Sequence, residues 1–152
     1  MNRFNLRVYG ICVVDGKLLL TDEIRFGMKM TKLPGGGLQF GEGLEEALKR
    51  EWREELDEDV EVGEIFYVNP FLQTSFFNSK DEVIGLYFFV RLLGEPMGIF
   101  TEYPMDFPSE EDDQQVFRWV PLASINEDSF TFPIDKAMVK KLNQLSLKAG
   151  NM

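Results

Sequence analysis

The chain contains no histidine and a single cysteine, Cys12. The first absence removes Ser-His-Asp catalysis, imidazole metal ligands and histidine general bases, leaving carboxylate, Lys, Arg, Tyr and backbone groups for any chemistry. The second excludes an internal disulfide. Cys12 lies in the apolar run Ile11-Cys12-Val13-Val14 and is expected in the core. Cations are scarce: 16 Lys and Arg stand against 26 Asp and Glu, for a net charge of −10. A field of that sign opposes unspecific contact with nucleic acid or an anionic membrane. It does not exclude a nucleotide substrate, because local cations or a metal reverse the sign inside a pocket. No apolar run approaches ~20 residues, so no membrane span is expected. The first residues, Met1-Asn2-Arg3-Phe4-Asn5, run straight into a strand pattern without a signal-peptide core, and a cytoplasmic location is the expectation.

What is present suits one domain over residues 1–152, with 14 Phe pointing to an aromatic interior or an apolar pocket. Residues 5–14 and 17–21 read as strands joined at Asp15-Gly16, a strong hairpin signal because both turn positions need positive φ. Residues 22–32 are mixed and polar and read as a loop carrying Arg25, Lys29 and Lys32. A glycine run, Gly35-Gly36-Gly37, precedes a helical pattern from Leu44 to about Leu56. Strands are expected at 60–68, 71–77, 82–93 and 115–120, a turn at 78–81, a loop at 94–113 and a final amphipathic helix at 134–147. This order predicts an α/β fold, a mixed sheet with helices on its faces.

The central helix carries the chemistry. At about 100° per residue, Leu44, Ala47, Leu48, Trp52 and Leu56 form one apolar face. Glu51 and Glu55 fall within that face and Glu54 at its edge, while Arg50, Arg53, Glu46 and Asp57 fall opposite. Inward carboxylates are costly unless paired or bound to a cation, and crowded ones repel. A divalent ion resolves this, and oxygen donors suit Mg²⁺ or Mn²⁺ better than zinc. The alternative is a solvated acidic face tied to Arg50 and Arg53. The glycines allow positive φ and close backbone approach, so their N–H groups are candidates for phosphate contact and a freed carbonyl for a metal.

Gly36, five residues, Glu42, seven residues, then Arg50-Glu51-Trp52-Arg53-Glu54-Glu55 resembles the Nudix box, G-x5-E-x7-R-E-U-x-E-E-x-G-U, with U a bulky aliphatic residue. Leu33-Pro34 before it and Trp119-Val120-Pro121-Leu122 after it resemble the usual flanking segments. Three positions depart: Trp52 stands at an aliphatic position, Asp57 at the late glycine and Glu58 at the last aliphatic. Gln39 stands where many relatives carry an acid. The resemblance implies an α/β/α sandwich around a mixed sheet. It implies Mg²⁺-dependent hydrolysis of a diphosphate bond in a nucleoside diphosphate linked to another group, a small-molecule substrate, and is compatible with a homodimer. It assigns metal binding to Glu51, Glu54, Glu55 and the Gly35 carbonyl, the orienting of a box glutamate to Arg50, and an outer role to Glu42.

The general base is then Glu54 or an acid of the Glu110-Glu111-Asp112-Asp113 run. Asp113 is the first choice there as a further metal ligand and Asp112 the second, against the plain alternative of a solvated acidic loop. Candidate substrate contacts are Gly36, Gly37, Arg25, Lys32 and Arg7, and Phe66, Tyr67, Phe71, Phe76 and Phe77 are candidates for stacking on a base. A rival reading is a non-catalytic Nudix domain that binds a nucleotide-type metabolite, which the complete glutamate set disfavours. Another is an isoprenoid diphosphate isomerase, which the missing histidine disfavours. The loops at 22–32 and 94–113 are where substrate choice is expected to reside.

Overall fold

The computed structural model describes residues 1–148, with side chains described to Leu145. They form two compact units, Met1–Cys12 with Pro34–Gly98, and Val13–Leu33 with the segment from Ile99 onward. No helix among the described residues is long and apolar enough to cross a membrane.

The first unit holds β1 (Arg3–Ile11), β5 (Gly35–Gly37), α1 (Leu44–Leu56), β6 (Val60–Val68) and β7 (Asp81–Leu92). Its sheet runs β5-β1-β7-β6 and is mixed: β1 and β7 are parallel, the other pairs antiparallel. Alternation sorts the β1 side chains by face. Gly10 lies under the Trp52 indole of α1, and Tyr9 stacks on Tyr87 with ring centroids 5.1 Å apart. Of the apolar face that the periodicity predicts for α1, Ala47, Leu48, Trp52 and Leu56 are buried and Leu44 is half-buried. Arg3 closes the far end of the sheet, donating to both Asp81 oxygens at 2.8 and 3.0 Å, and holds the Asp81 carboxyl below its usual range.

The aromatic strand expected at 71–77 does not form; one bridge, Thr74 to Glu82, is all that pairs there. The Val83 N–H on the Gln73 carbonyl and the Ser75 N–H on the Asp81 carbonyl make that bridge, and local hydrogen bonds take the ends of the segment. Asn69 Nδ2 donates to the Phe71 carbonyl, Ser75 Oγ accepts from the Phe77 N–H, and Phe71, Phe76 and Phe77 are exposed. The turn expected after it is present, closed by the Asp81 N–H on the Asn78 carbonyl at 3.0 Å.

The second unit holds β2 (Val13–Val14), β3 (Lys17–Arg25), β4 (Met28–Lys32), β8 (Gln114–Pro121), two short 3₁₀ turns and α2 (Pro133–Lys148). β3 pairs with β2, β4 and β8, all antiparallel. The Asp15-Gly16 hairpin is present with φ of 50° and 74°. The loop expected at 22–32 is instead the end of β3, a turn at Phe26-Gly27 with φ of 51° and 72°, and β4. The polarity that concealed this hairpin belongs to buried, paired acids. Asp22 is bound by Arg118 and Thr31, and Glu23 lies near Lys32, Arg25 and Gln115. Apart from the Phe100–Phe117 bridge, the segment 94–113 carries no strand or helix, as expected.

The chain changes sheet at Cys12, between β1 and β2. Cys12 is 1% exposed, and burial pushes its thiol from 9.0 up to about 11, with Glu58 adding to the rise and a backbone hydrogen bond from Leu92 opposing it. A thiol pKa raised by folding contributes stability that is complete below the unfolded value and lost as pH climbs through the folded one. Unfolding by urea should therefore become easier between pH 9.0 and about 11, by about 2 kcal/mol. Cys12→Val should flatten that slope; an unchanged slope would assign the alkaline loss elsewhere.

Candidate active site

Gly35–Gly37 form an edge strand rather than a turn, and none of the three has positive φ. The expectation of left-handed backbone there is corrected: close approach requires these glycines. A Cβ on Gly35 would lie 2.0 Å from the Val8 carbonyl oxygen, and one on Gly36 would lie 2.4 Å from Glu51 Cδ. The Gly10 N–H donates to the Pro34 carbonyl and the Leu38 N–H to the Leu6 carbonyl, so the even-numbered residues of this strand bond to β1. The carbonyls of Gly35 and Gly37 therefore turn away from β1, and Arg50 Nη2 takes that of Gly37 at 3.0 Å.

α1 starts after Gly43, whose N–H donates to Glu46 Oε1 at 3.4 Å, and Glu45 and Glu46 complement the positive end of the helix. Two turns on, Arg50 holds the site together. It donates to both Glu42 oxygens at 2.9 and 2.7 Å. Its Nη1 bridges Glu51 Oε1 at 2.9 Å and Glu54 Oε2 at 3.3 Å. Helix phase puts Arg50 on the solvated side; its long side chain instead folds back into this cluster. The hydrogen bond from Arg50 holds the Glu42 carboxyl below its usual range, and Glu42, then Glu51, hold the guanidinium firmly charged against the cost of desolvation. The Glu51 side chain is 13% exposed and that of Glu54 60%, while Glu55 is half-buried. Among the described residues no three acidic side chains already form a cage for an ion. The Arg50 guanidinium is the counter-charge between Glu51 and Glu54.

The three departures from the box each have a local cause. Trp52 fits because Gly10 has no Cβ, which would lie 2.8 Å from Trp52 Cζ2. Glu58 is buried and accepts from the Met97 N–H at 2.8 Å. Asp57 adopts the left-handed conformation, φ 53° and ψ 38°, in which glycine usually ends a helix, and its N–H donates to the Arg53 carbonyl. Asp57→Gly should relieve that backbone cost and remove an acid from the negative end of the helix, raising stability by about 1 kcal/mol in urea denaturation. A loss of stability would refute this account of the cap.

Arg25, Lys32 and Asp113 belong to the second unit. Lys32 and Arg25 lie 3.4 and 3.3 Å from the buried Glu23 carboxylate, a residue the sequence reading did not single out. Alternation along β3 puts Thr21 and Glu23 on one face with Gln115 of β8, and that period was the available signal. Asp113 has φ 63° and its N–H caps the Ile24 carbonyl, while Asp112 Oδ1 accepts from the Gly27 N–H at 2.8 Å and Glu110 pairs with Lys29. This acidic run thus closes over the β3–β4 turn. In the first unit, Arg7 donates to the Tyr9 hydroxyl at 2.7 Å and lies over its ring.

A family model described as NUDIX domain matches residues 3–142. The chain belongs to the Nudix family. Its mixed α/β fold, with two helices and two sheets, is found in solved Nudix structures of low identity. A NUDIX hydrolase from Nitrosomonas europaea is 18% identical with a TM-score of 0.67, covering 93% of this chain and 90% of that one. The MutT protein from Methanosarcina mazei Go1 is 20% identical with a TM-score of 0.65, covering 95% and 96%. An ADP-ribose pyrophosphatase from Streptococcus suis is 19% identical with a TM-score of 0.57, covering 97% and 92%. No curated protein sequence matches the chain. The α/β class read from the sequence is the class of the fold, and the Nudix box lies where the glycine strand meets α1.

Proposed function

We propose that this Nudix protein is a cytoplasmic, Mg²⁺-dependent hydrolase of a diphosphate bond in a nucleoside diphosphate linked to another moiety. The observation that supports this most is the carboxylate cluster of Glu42, Glu51 and Glu54, bound by one arginine and pressed against a strand of glycines. Glu51, Glu54, Glu55 and the outward Gly35 carbonyl offer only hard oxygen donors, and the missing Cβ of Gly36 leaves the space that the Glu51 carboxylate fills. These residues fit Mg²⁺, with Mn²⁺ an acceptable substitute. Such an ion, when bound, supplies neutralisation of phosphate charge and acidification of an attacking water.

The chain's own groups do the rest. Arg50 fixes the orientation of Glu51 and Glu54 while Glu42 fixes Arg50. Glu54, the most solvent-accessible of the three, is suited to accept the proton from the attacking water. Gly37, whose N–H turns away from β1, is the proposed substrate contact of the glycine strand; Gly36 is corrected as a contact, because its N–H and carbonyl bond to β1 and Glu51 covers its open face.

A panel of nucleotide sugars, dinucleotides and nucleoside triphosphates with Mg²⁺ in ¹⁸O water, read by mass spectrometry, tests the reading. The expected result is one ¹⁸O in a phosphate-bearing product, with turnover abolished by a chelator. Tight binding of a panel member without any turnover would replace hydrolysis by simple recognition.

A further inference from the structure

The second unit contains a cavity of about 410 Å³, a volume in the range of small-molecule sites. Its apolar walls include Leu20, Val120, Pro104 and Phe130, and Arg118 lies in its lining. β3 and β8 pair Leu20 with Arg118 and Leu18 with Val120, so these side chains share one face of the sheet with Asp22.

Arg118 is 8% exposed. It grips Asp22 from the side, Nε to Oδ2 at 2.6 Å and Nη2 to Oδ1 at 3.2 Å. Asp22 is saturated, since it also accepts from the Thr31 hydroxyl at 2.6 Å and the Met105 N–H at 3.2 Å. A guanidinium has five N–H donors, and this grip uses two. Among the described residues Nη1 has no acceptor, so the outer edge of the fork is unspent in a buried group that lines a cavity. Two hydroxyls of the lining are also left with a proton to give. Thr131 Oγ1 accepts from the Thr31 N–H at 2.8 Å, and Ser129 Oγ accepts from the Asn126 N–H at 3.1 Å.

We infer that this cavity is a binding site for an uncharged small molecule with an apolar body and two hydrogen-bond acceptors on one edge. The donors lining it call for acceptors, and the guanidinium edge matches two of them side by side. Charge selects an uncharged ligand: Asp22 already cancels Arg118, and the other charged residue of the lining, Asp128, is an acid. An anion would enter without compensation. A 6-oxopurine presents such an edge through O6 and N7, whereas a 6-aminopurine presents an acceptor beside a donor. No lining residue belongs to the unit that carries the box glutamates, so this site stands or falls apart from the proposed hydrolysis.

The test is calorimetric titration of the full chain, without metal, using guanosine, adenosine and benzoate. Guanosine should bind, and adenosine and benzoate should bind at least about tenfold more weakly. Arg118→Lys keeps a cation on Asp22 but loses the outer edge, and Val120→Trp fills the cavity without touching the ion pair. Each should weaken guanosine at least about tenfold. No guanosine binding, guanosine binding indifferent to both substitutions, or benzoate binding as tightly as guanosine would each overturn the inference.

Discussion

Glu51→Gln is expected to lower kcat/KM with Mg²⁺ by about 10²–10³-fold while leaving the fold in place. The amide matches the carboxylate in shape, so the contact with Gly36 survives, and Arg50 keeps both oxygens of Glu42. What is removed is one negative charge in the cluster where cationic charge must gather. The loss should fall on turnover rather than on melting temperature, and circular dichroism beside initial-rate kinetics separates the two. Full activity in this variant would remove Glu51 from the metal-binding set, and with it the geometric basis of the proposed reaction.

Asp22→Ala is expected to cost about 3–5 kcal/mol of stability, the range for breaking a buried ion pair from one side. The cost arises because Arg118 is left charged and buried, and because the Thr31 hydroxyl and Met105 N–H lose their acceptor. For a chain of this size that corresponds to a fall in melting temperature of about 10 °C. Adding Arg118→Met to Asp22→Ala should recover much of the loss, since the stranded charge goes with it. Equal stability of the single and double variants would show that the penalty lies in the lost acceptor and not in the stranded charge.

The sequence revealed most where one physical rule acted alone. The period of α1 located Trp52 and Leu56 inside, and Asp15-Gly16 located a hairpin because few pairs tolerate two positive φ values. It failed where partners distant in sequence reversed a local signal. Asp22 and Glu23 look like loop residues until Arg118 and Lys32 arrive to neutralise them. Phe26 has no turn preference, yet it holds φ of 51° beside Gly27. Phe71 to Phe77 has the composition of a strand, but Asn69 and Ser75 capture its backbone. In the site itself, spacing identified the glutamates and the arginine, while the direction in which Arg50 folds depended on Glu42 and the Gly37 carbonyl. The reason for the glycines, close packing rather than unusual torsion, is visible only once Glu51 is seen beside Gly36.

The pairing of β1 with β7 and of β3 with β8 has a consequence for how the protein is made. Residues 3–11 wait for residues 81–89, and residues 17–24 for residues 114–121, before either sheet can close. At ribosomal speeds of about 5–20 residues per second, the nascent chain spends several seconds with one edge of each of those early strands unmated. The hairpins of β2, β3 and β4 are local enough to form at once, and the β6–β7 pair follows as soon as β7 emerges. High contact order of this kind makes folding slow and leaves sticky strand edges open to neighbours, so a chaperone that shields nascent segments has most to offer before residue 121 emerges.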